Sequence, residues 1–387
     1  MLTVQNGYAF DSKSFSTDEG TPLIRIRDLK NGFKTETRFH GTFDSRYLVN
    51  AGDLLIGMDG EFGCYEWKGE KALLNQRVCR LKNFMSQLLP KFLFYGVNSY
   101  LKAIEETTGF TTVKHISSKQ ITSINFPVSP ILKQKRIVSI LDEVFEGIES
   151  ATANAERNLF SARELFVNYL NSVFIRSGEA WAKSSLEEIG RLQTGTTPKT
   201  SEKDNLGTYI PFIKPGDFRE DGSLDYENEG LSELGLAQSR LIRSGSAVMV
   251  CIGATIGKAG FAERDISANQ QINAVTPREG IAGKFLYYQM ISDGFQKQVM
   301  ANSAQATLPI INKTKWGGLI FCLPPTLREQ EQLVSKFDQL SSEVQRLEET
   351  YRQKLGRLAE MKQAILQKAF SGELTAQSAD VVQEAAE

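Results

Sequence analysis

The chain has 387 residues, 41% of them hydrophobic, and its 45 basic and 46 acidic side chains give a net charge of −1. This length predicts two globular domains with connecting segments, and the near-neutral charge excludes binding to nucleic acid through electrostatics alone. No apolar run approaches the roughly 20 residues that cross a membrane, and the first residues lack the basic and apolar regions of a signal peptide. We therefore expect a cytoplasmic protein without membrane contact.

The few cysteines and histidines limit the chemistry that the chain can carry. Its four cysteines are scattered without a Cys-x-x-Cys pair, so neither a zinc site nor a disulfide framework is expected. The histidines are His40 and His115, no pair of carboxylates stands out for acid/base work, and there is no glycine-rich adenosylmethionine loop. We expect no catalytic residues and no metal ligands in this chain.

Residues 1–128 contain short apolar runs that are broken by glycine and polar turns. The runs at 21–32, 49–67 and 71–82 have strand lengths and strand-type alternation. Apolar residues near helical spacing predict one helix at 89–105. These elements predict a β-rich domain, whose 16 basic and 13 acidic groups make it the mildly basic part of the chain.

A long helix is predicted at 129–178. Pro127 and Pro130 close the domain at the entrance to this helix, as expected where the residue before a proline is pushed away from helical geometry. The apolar residues of the helix step by threes and fours and form a single a/d seam. The residues of this seam include Ile137, Leu141, Val144, Ile148, Leu159 and Phe166. A helix of this length with one apolar seam requires a partner for that seam.

The second half of the chain repeats the first half in the same order. TYIPFIKPGDFREDG at 208–222 matches the run at 21–32. IRSGSAVMVCIGATIGKAG at 242–260 matches the residues at 49–63, and later segments match at similar offsets. A second β-rich domain is therefore predicted at 179–325.

A second long helix is predicted at 326–373, with a flexible tail at 374–387. The residues of its seam include Phe337, Val344, Leu347, Leu355, Leu358 and Ile365. In each helix, two successive spacings between apolar residues are four residues long, on either side of Ala155 and of Tyr351. These two positions are offset by 196 (351 minus 155). Two unrelated helices would rarely share this irregularity, so the chain is interpreted as two copies of a β-rich domain followed by a long helix.

Pairing of the two helices would cover both seams. We expect an α+β fold with an internal pseudo-two-fold duplication, in which two β-rich domains are joined and separated by two long antiparallel coiled-coil helices. At about 1.5 Å per residue, a helix of 40 to 45 residues is roughly 60 Å long. Two unlike domains at a fixed separation are suited to a split, non-palindromic DNA target.

The order of short motifs resembles that of the specificity subunit of Type I restriction-modification systems. In the second half these motifs include IPFIKPGDF at 210–218, GATIGK at 253–258 and ANQQ at 268–271. Counterparts stand in the same order in the first half, and the resemblance covers nearly the full length. It implies that each β-rich domain is a target recognition domain that reads one half of a split adenine-containing site in the major groove of double-stranded DNA.

The resemblance also implies partners. Two methyltransferase subunits would pack on the long helices, and restriction subunits with motor and nuclease activity would join them. S-adenosylmethionine is expected in the methyltransferase subunit, whereas this chain binds no cofactor. The alternative is a non-catalytic structural or adaptor protein whose duplicated domains bind protein or another ligand.

Candidate DNA-binding residues lie on the matched strands and turns. Arg25, Arg27 and Lys214 flank matching strands and carry the charge to reach phosphates, although arginine on the outer face of a strand is ordinary. Asp59 lies in the glycine-rich turn of the first half. The matching turn at 253–258 is not a phosphate loop, because three rather than four residues separate its glycines and Ala follows its lysine.

Within that turn, Thr255 and Lys258 are candidates to contact a DNA phosphate or a guanine edge, with a solvated lysine as the equal alternative. The polar stretches 107–115 and 302–313 differ in side chains at matched positions, which is where sequence readout is expected. Their candidates are Thr111, Lys114, Gln305 and Lys313.

Asn-Gln pairs occur at 75–76 and 269–270, and their amides match the edge of adenine. Because the pair recurs in both halves, whose targets should differ, a structural role is favoured.

Overall fold

The computed structural model of the chain describes residues 1–30, 33–108, 114–176, 181–199, 201–304 and 308–374. The chain divides into two compact units: unit 1 comprises Met1–Ala153 and Leu355–Glu387, and unit 2 comprises Asn154–Lys354. The boundary between the two units thus lies within each long helix. The predicted domain boundaries stay predictions. Within the described ranges, no helix is both long and apolar enough to cross a membrane.

The described residues of unit 1 form two sheets that pack with short helices and with parts of both long helices. Its strands are β1 (Thr3–Asn6), β2 (Phe15–Ser16), β3 (Thr21–Ile24), β4 (Arg38–Phe39), β5 (Leu48–Val49), β6 (Leu54–Gly57), β7 (Gly63–Glu66), β8 (Ala72–Leu74) and β9 (Val78–Lys82). Its helices are α1 (Ile26–Lys30), α2 (Pro90–Thr107), α3 (Ser118–Thr122), the N-terminal part of α4 (Ile131–Arg176) and the C-terminal part of the last helix, α10 (Leu327–Ser371). Pro90 stands in the first turn of α2, where its missing N–H costs no hydrogen bond.

The two sheets of unit 1 have different character. One is antiparallel, with strand order β1-β9-β6-β7, and pairs Ile56 with Cys79 and Cys64. The other has the order β2-β4-β3-β8-β5 and contains a parallel pair, in which Leu23 lies opposite Leu73. Every residue of β6 is buried. Such short, continuous apolar runs are typical of strands covered on both faces.

Unit 2 repeats this arrangement. Its strands are β10 (Ala182–Ser185), β11 (Gly190–Thr194), β12 (Leu206–Ile213), β13 (Gly230–Leu231), β14 (Ala247–Val250), β15 (Ala259–Phe261), β16 (Ser267–Ala268), β17 (Ile272–Pro277) and β18 (Ile320–Leu323). Its helices are α5 (Leu186–Ile189), α6 (Glu233–Ala237), α7 (Gly283–Met290), α8 (Asp293–Asn302), α9 (Lys313–Gly317) and part of α10 (Leu327–Ser371), besides the C-terminal part of α4.

The sheets confirm the predicted duplication. The order β11-β17-β14-β15 in unit 2 corresponds strand by strand to β1-β9-β6-β7 in unit 1. The parallel pair of β12 with β16, in the sheet ordered β13-β12-β16, corresponds to that of β3 with β8. In unit 2, β10 additionally pairs with β18. The fold is α+β and duplicated, as expected.

The prediction of strand structure throughout 21–32 is wrong in its second part. The strand ends at Ile24 and α1 begins at Ile26, because the buried carboxylate of Asp28 accepts the N–H of Arg25 at 2.8 Å and turns the chain. In unit 2 the carboxylate of Asp217 accepts the N–H of Lys214 at 2.7 Å in the same way. Arg25 therefore follows a strand and Arg27 lies in a short helix, so neither alternates along a strand face.

The long helices direct their predicted seams into the cores of the units. Fully buried seam residues are Ile137, Leu141, Ile148, Phe337 and Val344. The half-buried ones are Val144, Leu159, Phe166, Leu347, Leu355, Leu358 and Ile365. In unit 2, Arg163 Nε lies 2.9 Å from Glu348 and the ring of Tyr169 lies 5.9 Å from that of Phe337. The residue numbers run in opposite directions, so the helices pair antiparallel in this unit.

Candidate nucleic-acid interface

In unit 1, the glycine-rich turn between β6 and β7 meets the segment that follows α2. Gly60, whose φ is +76°, donates its N–H to the carbonyl of Lys114 at 2.9 Å. The carboxylate of Asp59 lies 2.6 Å from Nδ1 of His115 and 3.3 Å from the guanidinium of Arg77. Two stretches that are about 55 residues apart in sequence therefore form one surface, and the predicted residues Asp59 and Lys114 lie together on it.

Unit 2 brings the matching stretches together in the same way. Gly253, with a φ of +111°, donates its N–H to the carbonyl of Pro309 at 3.0 Å. Ile311 donates its N–H to the carbonyl of Cys251 at 2.9 Å. Positive φ values at this turn favour glycine. We call the turn and the adjoining segment the reading edge of each unit: 57–63 with 114–117 in unit 1, and 251–258 with 308–313 in unit 2.

In unit 1, α1 adds basic side chains beside this edge. The Lys30 ammonium is paired with the Glu61 carboxylate in the turn, and this hydrogen bond raises the pKa of Lys30 and lowers the pKa of Glu61. The Arg25 guanidinium lies 5.3 Å from the centre of the Phe15 ring. Arg27 is exposed, with Nε 3.7 Å from the carboxylate of Asp28. Arg27 is thus the better placed of the two predicted arginines for a phosphate.

Two of the three predicted lysines of unit 2, Lys214 and Lys258, make contacts inside the unit. The Lys214 ammonium pairs with the Glu229 carboxylate and lies 5.7 Å from the centre of the Phe212 ring. The Lys258 ammonium donates to the backbone carbonyl of Phe218, on the neighbouring segment. Both lysines therefore stabilise the backbone and strands next to the turn, and neither is a freely solvated cation.

The remaining candidates differ in exposure. Thr255 and Lys313 are exposed at the reading edge of unit 2. The Lys114 ammonium donates to the carbonyl of Glu105 at 2.8 Å. Thr111 and Gln305 lie outside the described residues. The assignment of these side chains to DNA contacts stays a prediction.

The repeated Asn-Gln pairs separate into a buried and an exposed member. Asn75 and Asn269 are each 8% exposed. The side-chain oxygen of Asn75 accepts the N–H of Gln76 at 2.7 Å, and that of Asn269 accepts the N–H of Gln271 at 3.1 Å. The asparagines thus have the structural role that the repetition favours, while Gln76 and Gln270 remain exposed.

Sequence reasoning missed a buried glutamine at the start of each long helix. In unit 1, Gln134 is fully buried; its amide oxygen accepts the N–H of Leu89 at 2.8 Å, and its amide nitrogen donates to the carbonyls of Gln87 and Ser129 at 2.7 Å each. Leu89 is the N-cap of α2 and its side chain makes no capping bond. Gln134 therefore takes the place of a capping side chain.

Gln330 has the same position in α10. Its amide oxygen accepts the N–H of Ala282, the N-cap of α7, at 2.9 Å, and its amide nitrogen donates to the carbonyl of Gly280 at 3.3 Å. The sequence signal is a glutamine at matched positions near the start of both long helices (330 minus 134 is 196).

Large apolar side chains of α4 are exposed within unit 2. Phe160 is 61% exposed and Val167 is 45% exposed. They are seven residues apart, so both project from the same side of the helix. Leu165, 54% exposed, adds apolar surface nearby. Exposed aromatic and aliphatic side chains grouped on one helix are suited to burial against another protein.

The chain was compared with known proteins. A family model of the Type I restriction modification DNA specificity domain matches residues 1–157 and again residues 178–357. The chain is 29% identical to the Type I restriction enzyme EcoBI specificity subunit of Escherichia coli, covering 97% of this chain and 85% of that protein. It is 25% identical to the StySPI specificity subunit of Salmonella potsdam, covering 94% and 84%.

One solved structure shares the fold. It is described as "Structural basis underlying complex assembly and conformational transition of the type I R-M system" and superposes with a TM-score of 0.66 at 19% identity. The similarity covers 84% of this chain and 82% of that chain.

Proposed function

The chain belongs to the Type I restriction-modification DNA specificity family, and from this premise we propose that it reads a split DNA target through its two units. It is a non-catalytic specificity subunit, which sets aside the adaptor alternative. Subunits of this kind bind DNA and assemble with methyltransferase and restriction subunits. For this chain we propose two methyltransferase subunits, S-adenosylmethionine bound by those subunits, and assembly in the cytoplasm.

The single observation that supports a split target is the pair of reading edges. Each unit brings its glycine-rich turn against the segment before α3 or α9, through Gly60 and Lys114 in one case and Gly253 and Pro309 in the other. The backbone hydrogen bonds are the same, whereas the side chains differ. Different side chains on a common frame allow each unit to read a different half of the target.

The exposed face of α4 is the proposed docking site for a methyltransferase subunit. Phe160 and Val167 would be buried on assembly, and burial of apolar surface stabilises a complex by about 25 cal/mol per Å². Replacing both by serine should reduce co-purification with the methyltransferase subunit while leaving the melting temperature of the free chain unchanged. If the melting temperature of the free chain fell together with co-purification, this assignment would be contradicted.

Binding to DNA can be tested with purified subunits. We expect weak, salt-sensitive binding by the chain alone, since its net charge is −1, and tight binding once the methyltransferase subunits supply further cationic surface. Fluorescence anisotropy with duplex DNA at several salt concentrations measures both. A complex that methylates DNA without dependence on a split sequence would overturn the proposal.

The length of the long helices is proposed to determine the number of base pairs between the half-sites. Four residues inserted into one long helix add about 6 Å at 1.5 Å per residue, close to two base pairs at about 3.4 Å each. Methylome sequencing should then show a longer gap between unchanged half-sites. The same four residues inserted after Glu227, in an exposed turn of unit 2, serve as the control and should leave the gap unchanged.

A further inference from the structure

An aspartate on α4 holds two side chains of α2 within unit 1. The carboxylate of Asp142 accepts from the Lys91 ammonium at 2.9 Å and from the Tyr95 hydroxyl. The Tyr95 ring also packs edge-on against Phe145, with a distance of 5.4 Å between ring centres. Burial, together with the bond to Asp142, raises the pKa of Tyr95 above its ordinary value. The hydroxyl is therefore a neutral donor at all physiological pH values.

Unit 2 contains the same arrangement on α7 and α10. The carboxylate of Asp338 accepts from the Lys284 ammonium at 2.9 Å and from the Tyr288 hydroxyl. The Tyr288 ring lies 4.9 Å from the ring of Phe337. Burial and the bond to Asp338 raise the pKa of Tyr288 as well. The lysine and tyrosine are displaced by 193 positions from their counterparts, and the aspartate by 196.

Each aspartate lies eight residues after the buried glutamine of its long helix, from Gln134 to Asp142 and from Gln330 to Asp338. Eight residues of helix span about 12 Å. Apolar packing alone is non-directional and lets one element slide or pivot on another, whereas a hydrogen bond fixes a particular pair of atoms. Two such bonded points about 12 Å apart define an angle between the long helix and the recognition domain.

We propose that these residues are positioning residues for the gap between the half-sites. Gln134, Asp142 and Tyr95 hold the recognition domain of unit 1 at a fixed angle to α4, and their counterparts do the same for unit 2 on α10. This inference rests on the proposed function, because a fixed angle matters only if each unit must meet its half-site at a set distance. Loosening the contacts should widen the range of accepted gaps without changing the bases that are read.

The test uses the assembled methyltransferase complex with a chain carrying Tyr95→Phe and Tyr288→Phe. Each change removes one hydroxyl and keeps the ring. Methylation rates are measured on duplexes whose half-sites are constant and whose gap runs from two base pairs shorter to two base pairs longer than the native one. The ratio of the rate at one base pair off to the rate at the native gap should rise by about tenfold, as expected when a bond to a charged group is lost.

A matched control separates positioning from stability. Val78→Ala and Val248→Ala remove methyl groups from fully buried positions in the sheets, away from the long helices. They should lower the melting temperature without changing the gap profile. Asp142→Asn keeps an acceptor for the Tyr95 hydroxyl but loses the ion pair, so its gap profile should fall between the wild type and the tyrosine variant.

The outcomes distinguish the two proposals. A wild-type complex that shows no preferred gap contradicts the proposed split target. If the wild type has a sharp gap preference and the tyrosine variant an equally sharp one, whatever its melting temperature, the positioning role is contradicted and the proposed function stands.

Discussion

The two units share a frame and differ in how that frame supports its reading edge. In unit 1, α2 is a single helix of 18 residues, Pro90–Thr107. The matching stretch of unit 2 is broken into α7 and α8, with Ser292 as the N-cap that accepts the N–H of Phe295. The break shows where the duplicated copies have diverged, since the sheets and the buried glutamines remain alike.

The supports of the turn differ accordingly. In unit 2, Gln296 of α8 donates to the carbonyl of Gly257 at 2.8 Å. In unit 1, Glu105 accepts the N–H of Phe62 at 3.1 Å and Asn98 accepts the N–H of Cys64 at 2.7 Å, both from α2. The backbone of the edge is kept while the side chains around it change. Recognition can therefore diverge without redesign of the sheets.

The largest expected effect concerns the shared frame. Gln134→Leu leaves the N–H of Leu89 and two carbonyls without their partner in a buried site, so the free energy of unfolding of unit 1 should fall by about 3 kcal/mol. Gln330→Leu removes two hydrogen bonds, one of them long, and should reduce the free energy of unfolding of unit 2 by about 2 kcal/mol. Hydrogen exchange of backbone amides in the central strands, at Ile56 in unit 1 and Met249 in unit 2, measures the stability of each unit separately.

Gln353→Leu, at an exposed position of α10, is the control and should have little effect. If the changes at Gln134 and Gln330 were as mild as this one, the buried glutamines would not be part of the shared frame.

The next effect is the sensitivity of unit 2 to alkaline pH. Tyr287 and Tyr288 of unit 2 are 5% and 4% exposed, and burial raises the pKa of both. In the unfolded chain a tyrosine loses its proton near pH 10, so this stabilisation is complete below pH 10 and is lost as the pH rises towards the folded-state pKa. Between these two pKa values, each tyrosine lowers the free energy of unfolding by up to about 1.4 kcal/mol per pH unit.

Thermal melting between pH 9 and pH 11.5 should therefore show a decline in the stability of unit 2. Tyr288→Phe should flatten the decline of unit 2. A decline that is unchanged by this substitution would mean that other groups govern alkaline unfolding.

A smaller effect concerns the reading edge of unit 2. Lys313 is exposed, so Lys313→Ala should weaken DNA binding about fivefold and reduce the slope of log affinity against log salt by about 1. Lys258 donates to the carbonyl of Phe218, so Lys258→Ala should lower the melting temperature of the chain. It should leave the salt slope of DNA binding nearly unchanged. Anisotropy titrations of the assembled complex at several salt concentrations measure this, and identical slopes for both variants would count against the assignment of Lys313.

The smallest effect lies between the long helices of unit 2. The Arg163 guanidinium pairs with the carboxylate of Glu348, and this hydrogen bond raises the pKa of Arg163. Because Arg163 is about half exposed, Arg163→Met should cost less than about 1 kcal/mol, and less still at high salt. Lys362→Met, which removes an ammonium 5.1 Å from the Phe145 ring in unit 1, should cost a similar amount. A loss of several kcal/mol at Arg163 would contradict a surface role.

The sequence predicted the repeated frame because periodicity and offset are local properties of the chain. The expected helix at 129–178 is observed at Ile131–Arg176, and the apolar runs around Ile56 and Val248 are strands. The sequence did not reveal that α1 follows β3, since this depends on which backbone N–H the Asp28 carboxylate meets. Nor did it reveal the partner of Lys258, because Phe218 lies 40 residues away and is brought near only by folding.

The most direct test of the split-target proposal is methylome sequencing of cells that carry this chain with its methyltransferase subunits. We predict adenine methylation in a motif of two unlike halves at a fixed gap, and its loss when the chain is deleted. A single continuous motif, or methylation that persists without the chain, would contradict the proposal.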